Sequence, residues 1–214
     1  GNSENIISLR PDLVIAPSFT PIELIQTLRD MGIKVYLYRT PHTLNEIKAT
    51  IREFATVVDE KAKAEEIISK MDEKLAYVKS KTGNIGFSDQ KRVILMDNNG
   101  AFYMPNSSFS NICRNAGARD ATQELGYEKN CILSQEEIVR LNPDIFVLSD
   151  WNYDGKHDTS SMKQELVTNP SYQTTKAGKN KAVISISAAR LLSLSQYTAD
   201  AVVDLAKSIY PERF

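Results

Sequence analysis

Two glutamates lie at matching places in a stretch of sequence that occurs twice. Glu4 opens the first copy and Glu136 the second, and both copies read Glu-x-Ile-x-x-Leu-x-Pro-Asp at a constant offset of 132 positions. A carboxylate forms ion pairs with basic groups. Two carboxylates at equivalent places could therefore bind a partner that has two-fold symmetry. The competing interpretation is local, because the helix dipole stabilises a carboxylate in the first turn of a helix.

The residues around each glutamate predict a short helix followed by a strand. Asn2 and Ser134 are good N-cap residues, and a proline ends each helix seven residues after the glutamate. The runs at 13–16 and 145–148 are continuously apolar, which is typical of parallel strands covered on both faces. Self-similarity at a fixed offset indicates a repeated supersecondary unit. We therefore predict two related lobes with a cleft between them.

Three helix starts, one of them in the second repeat copy, are marked by serine or threonine followed three residues later by glutamate. This spacing predicts capping boxes, in which each side chain satisfies a backbone N–H of the other residue. The candidate pairs are Thr20 with Glu23, Thr43 with Glu46, and Ser134 with Glu137.

A long helix is predicted between the two copies. Residues 59–81 contain no glycine or proline, and their apolar side chains recur at helical spacing. About 22 residues span roughly 33 Å of helix, which suits a rigid connector between lobes, although an ordinary surface helix would have the same pattern. The expected organisation is an N-terminal lobe at 1–58, a connecting helix at 59–82 and a C-terminal lobe at 83–214.

The second lobe alternates strands and helices. We predict a strand at 93–96, an irregular stretch at 97–108, a helix at 109–115 and a strand at 182–186. This order predicts an α/β fold with parallel sheets. The second lobe begins about forty residues before its repeat copy, and the first has almost nothing before its copy, so the first lobe is expected to lack a strand, a cleft loop and a helix.

Composition excludes several classes of function. The chain has 26 basic and 27 acidic residues, so its charge is balanced. It contains no cluster of basic residues of the kind that would indicate nucleic-acid binding. No apolar run approaches the roughly 20 residues that cross a bilayer. His42 and His157 lack metal-ligand spacing, as do Cys113 and Cys131. The two cysteines could pair in an oxidising compartment or stay as buried thiols, and both alternatives remain open.

The paired motif and the long intervening helix resemble the substrate-binding proteins of ABC importers, in the branch that takes up ferric siderophores, haem and cobalamin. The resemblance implies two Rossmann-like lobes joined by one long helix, with the ligand between them. It also implies that one glutamate per lobe docks onto arginines of a permease dimer, and Glu4 and Glu136 match those positions. The resemblance further implies that the protein is a periplasmic or lipid-anchored monomer. It would have no enzymatic activity and no resident cofactor, and its ligand would be a metal chelate.

The ends of the predicted strands carry the candidate ligand contacts, since ligands of open α/β sheets bind beyond the carboxyl ends of the strands. Aromatic side chains offer large contact areas, and arginines suit anionic ligands. Packing inside a lobe is the alternative for each aromatic. Arg39 and Arg190 favour an anionic ferric siderophore or haem over cobalamin. The candidates are Phe19, Tyr38, Arg39, Phe102, Tyr103, Asn106, Trp151, Tyr153 and Arg190.

Two other classes of function remain open. Similar two-lobe folds occur in metal-tetrapyrrole chelatases, and turnover of a metal-free tetrapyrrole would identify such an enzyme. A sensor or adhesin could keep the fold without a permease, and a neighbouring permease and ATPase gene would instead identify an importer component.

Overall fold

The computed structural model describes residues 3–97, 100–150 and 159–214. The chain divides into two compact units, Gly1–Pro41 and His42–Phe214. The lobe limits at 58 and 82 stay a prediction. No helix in the described ranges combines the length and the apolar composition that crossing a membrane requires.

The first unit is built around a two-stranded parallel sheet. Its elements are α1 (Ser3–Ser8), β1 (Leu13–Pro17), α2 (Ile22–Asp30) and β2 (Lys34–Tyr38). Strands β1 and β2 pair in register from Leu13 opposite Lys34 to Pro17 opposite Tyr38. Helix α2 buries Ile25 and Leu28, and apart from the buried Ala16 strand β1 is only half-buried. The sheet therefore exposes more apolar surface than the continuous apolar run of β1 predicts.

The second unit holds the larger sheet. Its helices are α3 (Leu44–Val57), α4 (Lys61–Thr82), α5 (Ser108–Asn115), α6 (Gln135–Leu141), α7 (Thr159–Thr168), α8 (Lys176–Lys179), α9 (Ala188–Leu191) and α10 (Thr198–Ile209). Its strands are β3 (Arg92–Asp97), β4 (Gly100–Tyr103), β5 (Arg119–Asp120), β6 (Cys131–Leu133), β7 (Ile145–Ser149) and β8 (Val183–Ile186).

The sheet of the second unit is mixed. Its order is β6-β4-β3-β7-β8, with β5 pairing beside the start of β3. Strands β3, β7 and β8 run parallel, whereas β4 is antiparallel to β3 and β6 is antiparallel to β4. The predicted α/β class with parallel strands is confirmed, and the antiparallel strands β4 and β6 are an addition that was not predicted. The prediction of an irregular stretch at 97–108 is wrong, because Gly100–Tyr103 form strand β4, which pairs antiparallel with β3.

Alternate side chains of the central strands face two hydrophobic clusters. Val93 of β3 and Val147 of β7 join a cluster with residues of α3, α4, α5 and α10. Their immediate neighbours in the two strands, Ile94 and Phe146, join a second cluster with residues of α6 and α7. The continuous apolar run of β7 is thus explained, since both faces of this strand are covered.

Helix α4 is the long helix that the sequence predicts. It covers 22 residues from Lys61 to Thr82 and buries Met71 and Val78. It lies against α3 and α10 within the second unit, and Lys74 pairs with Asp200 of α10 at 2.6 Å. Its role as a connector between lobes stays a prediction.

Two of the three predicted capping boxes form. In α3 the box joins Thr43 and Glu46, and in α6 it joins Ser134 and Glu137. The box predicted for Thr20 and Glu23 is wrong. Helix α2 begins one residue late, at Ile22 with Pro21 in the N-cap position, so the threonine lies before the cap and no side-chain cap bond forms.

Candidate functional site

Glu136 lies in the first turn of α6, and its side chain is exposed. The helix starts where β6 ends, because Ser134 follows the strand and its hydroxyl accepts the backbone N–H of Glu137. The prediction that this glutamate is solvent-exposed at a helix start is confirmed. An exposed carboxylate at this place is free of the desolvation cost that a buried one would carry.

A side-chain network holds the start of α6 in place. The Tyr127 hydroxyl donates a hydrogen bond to Oε1 of Glu137, whose Oε2 accepts the backbone N–H of Ser134 at 2.8 Å and its hydroxyl at 2.7 Å. These hydrogen bonds, with Tyr127 contributing most, lower the pKa of Glu137 to about 2. The backbone that carries Glu136 is therefore fixed by its neighbour.

Glu4 occupies the equivalent place in the first unit. It lies in the first turn of α1, and its side chain is exposed. Each unit thus presents one exposed carboxylate at the start of a short helix that leads into a parallel strand. This equivalence was predicted from the repeat, and the structure reproduces it in each unit separately.

The carboxyl edge of the first sheet brings three predicted ligand residues together. Tyr38 ends β2 opposite Pro17 and Arg39 follows it, while Phe19 lies two residues after β1. A hydrogen bond from Ser18 N to Tyr38 O, at 2.8 Å, joins the two chain segments. Phe19 is 76% exposed and Arg39 is exposed, so this edge offers both an aromatic ring and a guanidinium group to solvent.

Arg190 lies at the carboxyl edge of the second sheet. It belongs to α9, which starts directly after β8, and Asp150 at the end of β7 accepts the backbone N–H of Ala188. The exposed Arg190 side chain donates to Asp204 Oδ2 at 2.6 Å. That pair raises the pKa of Arg190, whose guanidinium is charged at physiological pH in any case, and Asp204 offsets part of that charge at this edge. Asp150 was not among the residues predicted from the sequence, although its position directly after an apolar strand marks it for the same edge.

Three other candidate ligand residues, on β4 or just after it, lie away from the carboxyl edge of the second sheet. Because β4 runs back from the end of β3, it carries its residues away from the carboxyl edge. Tyr103 is 3% exposed in the second cluster and donates to the carbonyl of Tyr127 at 2.7 Å. Asn106 is exposed, and its backbone N–H donates to Gln123 Oε1. Phe102 points to the other side of β4 and is 49% exposed. None of them joins Arg190 at the edge.

Several predictions fall outside the described residues. Trp151, Tyr153 and His157 lie in the range 151–158, and Asn2 lies at the start of the chain. His42 is exposed ahead of α3, and its backbone N–H donates to Glu46.

The described residues contain no candidate metal centre and no disulfide. Within residues 3–97, 100–150 and 159–214, no group of three or more histidine, cysteine, aspartate or glutamate side chains could hold a metal ion. Cys113 and Cys131 are both free thiols, and burial raises the pKa of Cys113.

Two curated proteins of Bacillus subtilis strain 168 are similar in sequence to this chain. One is an uncharacterized ABC transporter substrate-binding lipoprotein, YvrC, which is 24% identical over all of this chain. The other is an iron-uptake system-binding protein, 24% identical over 85% of this chain. The chain spans 66% of the length of the first and 57% of the second.

Solved structures share the fold at low sequence identity. The periplasmic haem-binding protein RhuT from Roseiflexus sp. RS-1, in its apo form, matches all of this chain and 81% of its own with a TM-score of 0.83 and 21% identity. The periplasmic haem-binding protein BhuT, in complex with two haems, matches 98% of this chain and 79% of its own with a TM-score of 0.82 and 23% identity.

The sequence profile of the periplasmic binding protein family matches residues 1–189, which is most of the chain. The fold likeness agrees with that match. The chain therefore belongs to the periplasmic binding protein family.

Proposed function

We propose that this protein is the extracytoplasmic substrate-binding component of an ABC importer and that it delivers an anionic iron chelate, a ferric siderophore or haem, to a membrane permease. The observation that carries the proposal is the pair of exposed glutamates, Glu4 and Glu136, each in the first turn of a repeated helix. Membership of the family supports a role in substrate binding.

The glutamates are suited to reversible docking. Both side chains are exposed, so a basic partner can reach either carboxylate without a rearrangement of the protein around it. Exposed charges at the rim of an interface act mainly on the association rate and on its salt dependence. One carboxylate per unit also matches a permease whose two copies each present a basic site. The proposed partner is therefore a permease dimer with arginine or lysine at its outer surface.

The edges of the two sheets favour an anionic ligand with flat or aromatic parts. Phe19, Tyr38 and Arg39 lie at the carboxyl edge of the first sheet, and Arg190 lies at the carboxyl edge of the second. Guanidinium groups bind carboxylates in a bidentate manner, and aromatic rings stack on catechols and tetrapyrroles. Tyr103 is left out of the proposed site because it is buried, and Asn106 because β4 carries it away from the edge. Trp151 and Tyr153 stay in it as predictions from the sequence.

The names of similar proteins support the same class of ligand. One relative is named for iron uptake, and two solved structures are named as haem-binding proteins. The relative named as a lipoprotein supports attachment to the outer face of a membrane by a lipid. We expect this protein to work in the same compartment.

Ligand binding by the full-length protein tests the proposal. Haemin, ferric enterobactin and cyanocobalamin are titrated separately while the fluorescence of Trp151, the one tryptophan of the chain, is recorded. We expect haemin or ferric enterobactin to bind at least tenfold more tightly than cyanocobalamin, because only the first two carry the negative charge that the arginines recognise. Tighter binding of cyanocobalamin, or no binding of any of the three, would contradict the proposed ligand class.

A further inference from the structure

The second unit contains a cavity that the proposed ligand site does not use. It has a volume of about 530 Å³ and lies between the start of α3, the second half of α4 and the end of α5. This volume is within the range of roughly 300–1,000 Å³ that small-molecule sites occupy. The cavity is therefore large enough for a metabolite and much larger than a single inorganic ion needs.

The charges around the cavity are unequal. Among the described residues that line it, three side chains are cationic, namely Lys48, Lys79 and Arg114, and one, Asp72, is a carboxylate. Lys48 pairs with Asp72, which neutralises both. In the part of the chain that the structure describes, neither Lys79 nor Arg114 forms an ion pair. Two uncompensated positive charges, one from α4 and one from α5, thus face the same space.

Amide side chains add neutral hydrogen-bond donors to the same walls. Asn111 accepts the backbone N–H of Leu44 through Oδ1 at 3.0 Å, which leaves its NH₂ group for another acceptor. Gln90 lines the cavity from the segment before β3. The start of α3 contributes little, because the first-turn N–H groups of Leu44 and Glu46 already donate to Asn111 Oδ1 and to Thr43 Oγ1. Binding in the cavity would therefore depend on side chains and not on the helix terminus.

The cavity lies at the opposite end of the sheet from Arg190. Gln90 precedes β3, and Gly117 precedes β5, which pairs with the first residues of β3. These are the amino-terminal ends of the parallel strands, whereas Arg190 follows the carboxyl end of β8. The two places are separated by the length of the strands, so a ligand in the cavity is a second ligand of the protein.

We propose that this cavity binds a small organic anion carrying two or more carboxylate or phosphate groups. Two cations on different helices suit a ligand with two separated anionic groups, since each group can pair with one side chain. Charge-assisted hydrogen bonds of this kind are about twice as strong as neutral ones. The amides of Asn111 and Gln90 would complete the donors for the remaining oxygens.

Calorimetric titration of the full-length protein tests this inference. Iron-free citrate represents the carboxylate class and fructose 1,6-bisphosphate the phosphate class, both at low ionic strength. We expect at least one of them to bind with a millimolar or lower Kd. The double variant Lys79→Gln with Arg114→Gln should weaken that binding at least tenfold, while Lys79→Arg with Arg114→Lys should retain most of it. The matched control is Lys129→Gln with Lys207→Gln, which removes two exposed cations elsewhere.

The remaining outcomes separate the cavity from the proposed function. Loss of citrate or bisphosphate binding with unchanged haemin affinity in the Lys79 and Arg114 variant supports a second site. Equal weakening in that variant and in the Lys129 and Lys207 control would overturn the inference, because it would reflect net charge alone. Loss of the anion on changing Arg39 and Arg190 to glutamine would also overturn it, since the anion would then occupy the chelate site. Failure of both anions to bind would overturn it as well.

Discussion

Arg10 and Asn142 lie 132 positions apart and hold the same left-handed backbone conformation, with φ of 47° and 46°. Each residue stands between a short helix and the proline that leads into a parallel strand. The repeat is therefore one of backbone geometry as well as of sequence. Asparagine tolerates this conformation, whereas a long side chain such as arginine adopts it at a cost of roughly 1–2 kcal/mol.

Replacing Arg10 by glycine is expected to stabilise the protein. Relief of the left-handed strain gains roughly 1–2 kcal/mol, and the greater freedom of glycine in the unfolded chain costs about 0.4–1 kcal/mol. The free energy of unfolding should rise by up to about 1.6 kcal/mol in a denaturant titration. Arg29→Gly, a substitution inside α2, is the control and should lower it by a similar amount. A clear loss of stability in Arg10→Gly would contradict the strain assigned to this turn.

The hydrogen bond from Tyr127 to Glu137 predicts a measurable change in a pKa. Tyr127→Phe removes the largest of the contacts that hold the pKa of Glu137 at about 2. The pKa should rise toward the ordinary value of about 4.3. Carboxyl carbon chemical shifts of Glu137, followed by NMR from pH 1.5 to 7, measure it. Tyr77→Phe alters an exposed tyrosine on α4 and should leave it unchanged.

The same contact gives a pH dependence of known sign. The folded pKa of Glu137 is depressed, so the carboxylate contributes stability that is fully present above its unfolded pKa of about 4.3. That contribution is lost as the pH falls toward about 2. Glu137→Gln should therefore be less sensitive than the original protein to acid between pH 4 and pH 2. Equal slopes of stability against pH in the two proteins would show that this carboxylate is not coupled to folding.

Two glycines with left-handed backbone conformations allow the cost of steric overlap around an added Cβ atom to be compared with the cost of the conformation itself. A Cβ on Gly117 would lie 2.7 Å from Cβ of Thr82, whereas a Cβ on Gly126 would meet nothing within 4 Å. Gly126→Ala should cost about 1–2 kcal/mol from the backbone conformation alone. Gly117→Ala should cost at least about 1 kcal/mol more, since overpacking adds to the same strain. Thermal unfolding of both variants tests this difference, and equal losses would show that α4 moves away without penalty.

The sequence predicted best those features that depend on local chemistry. The capping boxes of Thr43 and Ser134 formed as their spacing indicates, and the strand at 145–148 lies where its apolar run predicts. The box at Thr20 failed because the following proline took the cap position and moved the helix start by one residue. A single-residue shift of this kind depends on backbone geometry that propensities do not resolve.

Features that depend on pairing between strands far apart in the sequence could not be predicted from local patterns. Strand β4 is four residues long and is held by β3 and by β6, which lies about thirty residues further along the chain. Its alternation of buried Ala101, exposed Phe102 and buried Tyr103 is too short to be recognised as a strand. That is why Tyr103 was expected at the ligand site and lies instead in a hydrophobic cluster. The exposure of Glu136, by contrast, followed from its place in a first helical turn.

Variants of the ion pair between Arg190 and Asp204 can distinguish a role of Arg190 in ligand binding from a role in stability. Arg190→Ala should weaken binding of the anionic chelate about tenfold, or roughly 1.4 kcal/mol, since one charge-assisted contact is lost. Asp204→Asn removes the competing carboxylate and should leave affinity unchanged or raise it, because the guanidinium is released toward the ligand. Fluorescence titration with haemin or ferric enterobactin measures both. Equal loss of affinity in the two variants would assign the pair to the stability of α9 and α10.

Transport by the reconstituted importer tests the central claim most directly. The full-length protein carrying both Glu4→Arg and Glu136→Arg is compared with a control carrying Glu23→Arg and Glu165→Arg, which reverses two exposed glutamates outside the repeat. Uptake of the bound chelate into proteoliposomes that contain the permease and its ATPase is measured, together with chelate affinity. We predict that the Glu4 and Glu136 variant loses at least tenfold in uptake with unchanged affinity, while the control transports normally. Normal uptake by the Glu4 and Glu136 variant, or an equal loss in the control, would contradict the account.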